Sequence, residues 1–190
     1  MTDTDIETRL AISAGTKGKL LSGYAARFDS PTTIAGEFIE TIAPGAFAKS
    51  LASMDVLALF NHDYGRVLGR KSAGTLKIGE DASGLWVEIN PPDSPDGWSA
   101  RELIGRRDVV GMSFGFRTRK DEWDDTGDLP KRTLREVDLY EVTITPIPAY
   151  ADTTIALRSL EDARKETNAS NAAMRVKRKA LAEMKFRGLA

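Results

Sequence analysis

The chain of 190 residues has no cysteine, a single histidine and few aromatic side chains. Without cysteine there is no disulfide framework and no thiolate metal site. With only His62, a histidine-rich zinc centre is excluded as well. Long hydrophobic runs are also missing. No apolar stretch approaches the length of a bilayer span, and the opening Met-Thr-Asp-Thr-Asp lacks the basic-then-apolar plan of a signal peptide. The chain is therefore expected in the cytosol of the cell that makes it, away from membranes and without a cofactor. Excess charge of one sign is scarce too, the formal net charge being −1. That balance hides an asymmetry, because after residue 160 eight Lys and Arg stand against four Asp and Glu. Residues 1–160 are then mildly acidic and present no broad basic face, so nucleic-acid binding is not expected.

Hydrophobic periodicity supplies the rest of the plan. Alternating or short apolar runs predict strands at 5–13, 19–28, 37–42, 55–60, 67–69, 75–78, 85–89, 108–117 and 133–145. Helical spacing predicts helices at 44–53 and 99–107, with turns at 15–18 and 64–65 and exposed loops at 90–97 and 120–130. Many short strands with few helices argue a β-rich (α+β) domain: a closed, mainly antiparallel barrel with helices packed outside. The domain is expected to fill residues 1–160. Residues 161–190 form a basic, partly helical tail in which Ala173, Val176, Ala180 and Met184 recur at helical spacing. That tail reads either as a surface helix with a frayed end or as a docking peptide.

One stretch stands out. In Asp108-Val-Val-Gly-Met-Ser-Phe-Gly-Phe-Arg117, strand parity puts Val110, Met112, Phe114 and Phe116 on one apolar face. Val109, Gly111, Ser113 and Gly115 make the other face, nearly bare except for one hydroxyl. Glycines so placed mark close approach of another group, and the bare face leaves room for an added strand. The spelling G-x-S-x-G fits a nucleophile elbow, but the elbow reading fails. The only histidine precedes the serine, no good helix follows it, and no βαβ rhythm surrounds it.

The chemistry can outlast the loss of that fold. A serine hydroxyl needs a base within hydrogen-bond reach, and the base needs a group to fix its tautomer. His62, at the mouth of the buried run 55–60, is the one imidazole available, so the third member must be a carboxylate. Parity puts Glu141 at the end of an apolar row with Val137 and Leu139, which favours it. Asp138, on the opposite face, is the alternative third member.

Several motifs then fall in order: Gly23-Tyr-Ala-Ala-Arg-Phe28, Glu40-Thr-Ile-Ala-Pro-Gly-Ala-Phe47, Leu59-Phe-Asn-His-Asp63 with Val67-Leu-Gly69, Gly111-Met-Ser-Phe-Gly-Phe116, and Leu139-Tyr-Glu-Val-Thr143 followed by Pro148-Ala-Tyr150. Together they resemble the HK97-type prohead serine proteases of tailed bacteriophages, over roughly residues 19–157. The resemblance implies a herpesvirus-assemblin-like fold and a serine endopeptidase working inside the immature head, in the host cytoplasm. It implies as substrate the major capsid protein, its scaffolding segment or a scaffold protein, with self-cleavage and a possible homodimer or higher oligomer. Carried over, Ser113 falls on the nucleophile, His62 on the base and Glu141 on the acid, with an oxyanion hole of backbone amides. A non-catalytic capsid-assembly module of the same fold, or an esterase using the same Ser-His pair, are the competing readings.

Overall fold

The structure is a computed structural model and describes residues 7–12, 14–17, 19–146, 162–167, 169, 174 and 177. The first half of the chain forms β1 (Glu7–Ile12), β2 (Ala14–Lys17), β3 (Leu20–Arg27), β4 (Thr32–Ile34) and β5 (Phe38–Ile42). It continues through helix α1 (Ala48–Ser53) into β6 (Leu57–Phe60) and β7 (Asp63–Arg70). The second half forms β8 (Leu76–Glu80), β9 (Gly84–Ile89), helix α2 (Pro95–Gly105), β10 (Gly111–Asp124) and β11 (Lys131–Thr145).

These strands make two sheets, and neither closes on itself. The larger has seven strands in the order β1-β10-β11-β5-β4, with β6 also on β11 and β7 on β6. The smaller is an antiparallel set, β2-β3-β9-β8. This corrects the closed barrel expected from the strand count. The reason lies in β11, which is long enough for two neighbours on one edge. Its first residues pair in parallel with β5, Lys131 opposite Ile39, and its last with β6, Glu141 opposite Leu57. Two parallel ladders make the sheet mixed, and its paths end at β1, β4 and β7. Alternation reveals which face of a strand is apolar but not which strand lies beside it.

Local differences have local causes. The expected turn at 15–18 is largely strand, because 14–17 pairs with β3. Helix α1 shortens at its start, where Gly45 at φ +84° keeps 44–47 in turns. Helix α2 begins earlier than expected, since Pro95 suits a first helical turn that needs no N–H donor.

The core lies between the sheets and fixes β10. Leu21, Val87 and Ile89 of the smaller sheet join Met112, Phe114, Phe116, Val142 and Ile144 of the larger. Phe114 stacks on Phe116 at 5.0 Å between centroids and meets Phe47 edge-on at 5.4 Å. Burying one such ring contributes about 1.5–3 kcal/mol, so a one-residue slip of β10, which would take both rings out of this core and onto the face held by Ser113 and Glu141, is strongly disfavoured.

A buried ion cluster ties β1, β5, β10 and β11 together. Arg132 Nη1 donates to Glu7 Oε2 at 2.6 Å and to Glu40 Oε2 at 3.0 Å, while Arg9 bonds the same two carboxylates. Burial alone would raise the Glu7 carboxyl, but the Arg132 and Arg9 guanidiniums outweigh it and hold it below the usual range.

The chain divides into two compact units, Met1–Thr153 and Thr154–Ala190. In the second, the described residues are helical, with an Asp162–Lys165 ion pair at 3.0 Å. Ala173, Val176, Ala180 and Met184 lie outside the described residues, as does the Pro148-Ala-Tyr150 motif. No helix among the described residues is long and apolar enough to cross a membrane.

Candidate active site

Ser113 is the third residue of β10, and register decides its surroundings. It faces Leu10 of β1 on one edge and Thr143 of β11 on the other. Two residues on, Gly115 faces Glu141. Side chains two apart on a strand share a face, so Ser113, Gly115, Glu141 and Thr143 form one patch.

That patch exists because of a bulge. Phe116 pairs with Leu139 but Gly115 pairs with Glu141, leaving Tyr140 as an extra residue. Before the bulge Val137 and Leu139 point into the core; after it Val142 and Ile144 do. The simple parity that grouped Glu141 with Val137 and Leu139 is broken here. Glu141 is turned to the face carrying Ser113, as bulges beside functional sites commonly re-aim a side chain.

The bare face of β10 is not a surface. Ser113 is fully buried, and a Cβ built on Gly115 would stand 2.4 Å from Glu141 Oε1. Gly115 is glycine because the carboxylate lies over its Cα. Both backbone edges of β10 at Ser113 are paired, so the added-strand reading of this face is corrected as well. Val110, placed with the core by parity, is 43% exposed, and Val109 is buried instead; the strand starts only at Gly111.

His62 reaches the patch from the far side of β11. Strand β6 runs parallel to β11, and Phe60 then pairs with Asp63 of β7 across a two-residue loop. That loop is Asn61-His62, with φ of +56° and +58°, the pattern of a type I′ hairpin turn. The turn expected at Tyr64-Gly65 is strand instead. The imidazole Nδ1 lies 2.8 Å from Glu141 Oε1. The His62 side chain is a quarter exposed and that of Glu141 nearly enclosed.

Burial raises the Glu141 carboxyl above its ordinary range, and the hydrogen bond and charge of His62 pull partly against that rise. In the neutral imidazole opposite an ionised Glu141, Nδ1 is the donor and Nε2 keeps its lone pair. Among the described residues, the buried side-chain polar atoms with no protein partner are His62 Nε2, Ser113 Oγ and Glu141 Oε2. All three belong to the same constellation. Ser113 and His62 are thus not hydrogen-bonded to each other.

Asp138 stands apart. It pairs with Arg117 across the ladder and accepts a hydrogen bond from Arg119 Nε at 2.6 Å. Sequence reasoning placed Asn61 in a polar cluster with His62 and Asp63 but gave no role to Thr143 or Thr145, although their polarity beside apolar neighbours was the available signal. The Asn61 N–H donates to Ile144 O at 2.8 Å, the His62 N–H to Thr143 Oγ1 at 2.9 Å, and Thr145 Oγ1 to Asn61 Oδ1 at 3.0 Å. A hollow of about 500 Å³ lined by Ser22, Tyr24, Trp86 and Glu88 lies on the smaller sheet and includes none of the three site residues. It is an open face of that sheet rather than an enclosed cavity. No group of three or more His, Cys, Asp and Glu among the described residues could hold a metal ion.

Residues 4–168 match the family described as "Caudovirus prohead serine protease". The chain is 29% identical over 101 residues to a protein of Escherichia phage T5 named "Prohead protease". That alignment covers 53% of this chain and 45% of the relative, so less than half the relative's length is spanned. No solved structure matches the chain.

Proposed function

From the premise that this chain belongs to the caudovirus prohead serine protease family, we propose that it is a serine endopeptidase with Ser113 as nucleophile, His62 as general base and Glu141 as the acid that orients it. The observation carrying this reading is the convergence of unpartnered buried polar atoms on those three residues, with Nδ1 already engaged. Buried polar atoms without partners are uncommon and call for a reason; catalysis is one.

The chemistry is acyl transfer. His62 Nε2 takes the proton of Ser113 Oγ as the oxygen attacks a peptide carbonyl, forming the C–O bond of a tetrahedral intermediate. The imidazolium, stabilised by the Glu141 carboxylate, protonates the departing amine as the C–N bond breaks. Water then repeats the sequence on the acyl-enzyme and restores Ser113. Because Oγ is buried, substrate binding must expose it, and the partly exposed imidazole marks the side of approach.

The proposed substrate is the capsid protein, its scaffolding segment or a scaffold protein, cut within the prohead in the host. The residues after about 160 are proposed to dock the enzyme there and to be removed by self-cleavage. Co-expression with the capsid precursor, followed by intact-mass mapping, tests this. Discrete cleavage products are expected, together with a shortened enzyme and modification of Ser113 by a fluorophosphonate. Unchanged masses with an unlabelled serine would sink the reading.

Gly115 offers a second check. Gly115→Ala is expected to push the Glu141 carboxylate off its seat and lower turnover about 10²-fold, the scale set by ångström misplacement of a catalytic group. Unaltered turnover would show that the carboxylate does not act from this position.

A further inference from the structure

His62 occupies a backbone position that turn chemistry ordinarily gives to glycine. In a two-residue type I′ hairpin both central residues have positive φ, and Asn-Gly is the favoured pair. Asn61 fits the first place, since asparagine tolerates the left-handed region. A histidine in the second place carries a Cβ clash that glycine would avoid. Such a conformation persists only where its surroundings over-determine it.

The surroundings come from one strand face. After the bulge, β11 presents Glu141, Thr143 and Thr145 in alternate positions, all three buried. Each grips the turn at a different point. Glu141 holds the imidazole through Nδ1, Thr143 Oγ1 accepts the His62 N–H, and Thr145 Oγ1 donates to the Asn61 side chain. Thr143 is also the residue directly across the ladder from Ser113. The strand beside the nucleophile is thus the one that grips the turn carrying the imidazole.

We propose that Thr143 and Thr145 are positioning residues for His62, holding a strained turn so that Nε2 is presented toward Ser113. The proposal deepens the peptidase reading and rests on it for its kinetic consequence. The geometric part stands on the hydrogen bonds alone. Valine in place of threonine keeps the shape and removes the hydroxyl, whereas serine keeps the hydroxyl.

Thr143→Val is expected to lower kcat about 10–100-fold with KM little changed, and Thr143→Ser to recover most of the loss. Thr145→Val is expected to act in the same direction but less, because it touches the turn only through Asn61. A purely structural role would lower the melting temperature and leave kcat well below that temperature unaltered; that result overturns the proposal. The strain has its own readout. His62→Gly is expected to melt about 2–4 °C above His62→Ala, both lacking the imidazole and differing in tolerance of positive φ. Equal melting would remove the strained turn from the argument and overturn it.

Because the chain has one histidine, its ring nitrogens give an unambiguous ¹⁵N spectrum. In a Ser113→Ala background, where turnover plays no part, Thr143→Val is expected to shift those resonances and Thr143→Ser to restore them. An unmoved spectrum would overturn the positioning role even if cleavage by the wild type is found. A moved spectrum alongside a fully active His62→Ala enzyme would uphold the positioning and remove the peptidase mechanism instead.

Discussion

Ser113→Ala and His62→Ala are each expected to lower peptide cleavage by about 10⁶-fold, and the double substitution by no more than either alone. In the proposed mechanism the two groups act as one unit. Without the hydroxyl there is nothing for the imidazole to deprotonate, and without the imidazole the hydroxyl stays a weak nucleophile at neutral pH. The stability of the serine variant should move the other way. Ser113 Oγ is buried without a protein partner, and enclosing such a hydroxyl costs about 1–3 kcal/mol by mutational measures. Alanine removes that cost and leaves only a small void, so Ser113→Ala is expected to melt above the wild type. Mass mapping of a capsid precursor reads the cleavage, and thermal unfolding reads the stability. A Ser113→Ala enzyme cutting within about tenfold of the wild-type rate, a barrier change of only ~1.4 kcal/mol, would eliminate Ser113 as the nucleophile.

Much of this site could be read from the chain before its fold was known, and the misreadings share one cause. Strand alternation revealed the serine and glycines of β10 on one face and its aromatic residues on the other. It did not reveal that both faces are enclosed, because the groups covering the bare face arrive from Glu141 and the turn after β6, far along the sequence. The barrel failed in the same way, since the parallel seating of β5 and β6 on one edge of β11 is a long-range choice. The bulge at Tyr140 is subtler. No glycine or proline marks it, yet it inverts the facing of β11 and moves Glu141 from the expected apolar row to the serine's side. The charged cluster of Glu7, Arg9, Glu40 and Arg132 was illegible because charges are ordinarily exposed, and only partners up to 125 residues apart make burial tolerable here. Tyr64-Gly65 looked the better turn by composition. Asn61-His62 won because hydrogen bonds from β11 hold a conformation that histidine alone would not choose.

Glu141→Gln is expected to lower turnover about 10⁴-fold while leaving the fold intact, the magnitude found when an orienting carboxylate becomes an amide. The amide can donate to Nδ1, which moves the imidazole proton to Nε2, the nitrogen that must accept from Ser113. The stability sign follows from the raised Glu141 carboxyl. A group whose folded pKa lies above its unfolded value contributes stability below the unfolded pKa and loses it as pH rises through the folded one. Above that raised pKa the ionised, buried Glu141 is therefore a cost, and glutamine removes it. There Glu141→Gln should match or exceed the wild type in melting temperature, and that advantage should shrink on acidification. Turnover of the wild type should fall as pH drops through the same raised pKa, because protonation takes away the charge that orients and stabilises the imidazolium. Asp138→Asn is the control. It breaks a surface pair with Arg119, worth about 0–1 kcal/mol, and touches nothing at His62. Side-by-side turnover of the two variants decides the matter: a near-wild-type Glu141→Gln enzyme, or a larger loss in Asp138→Asn, would take the orienting role away from Glu141.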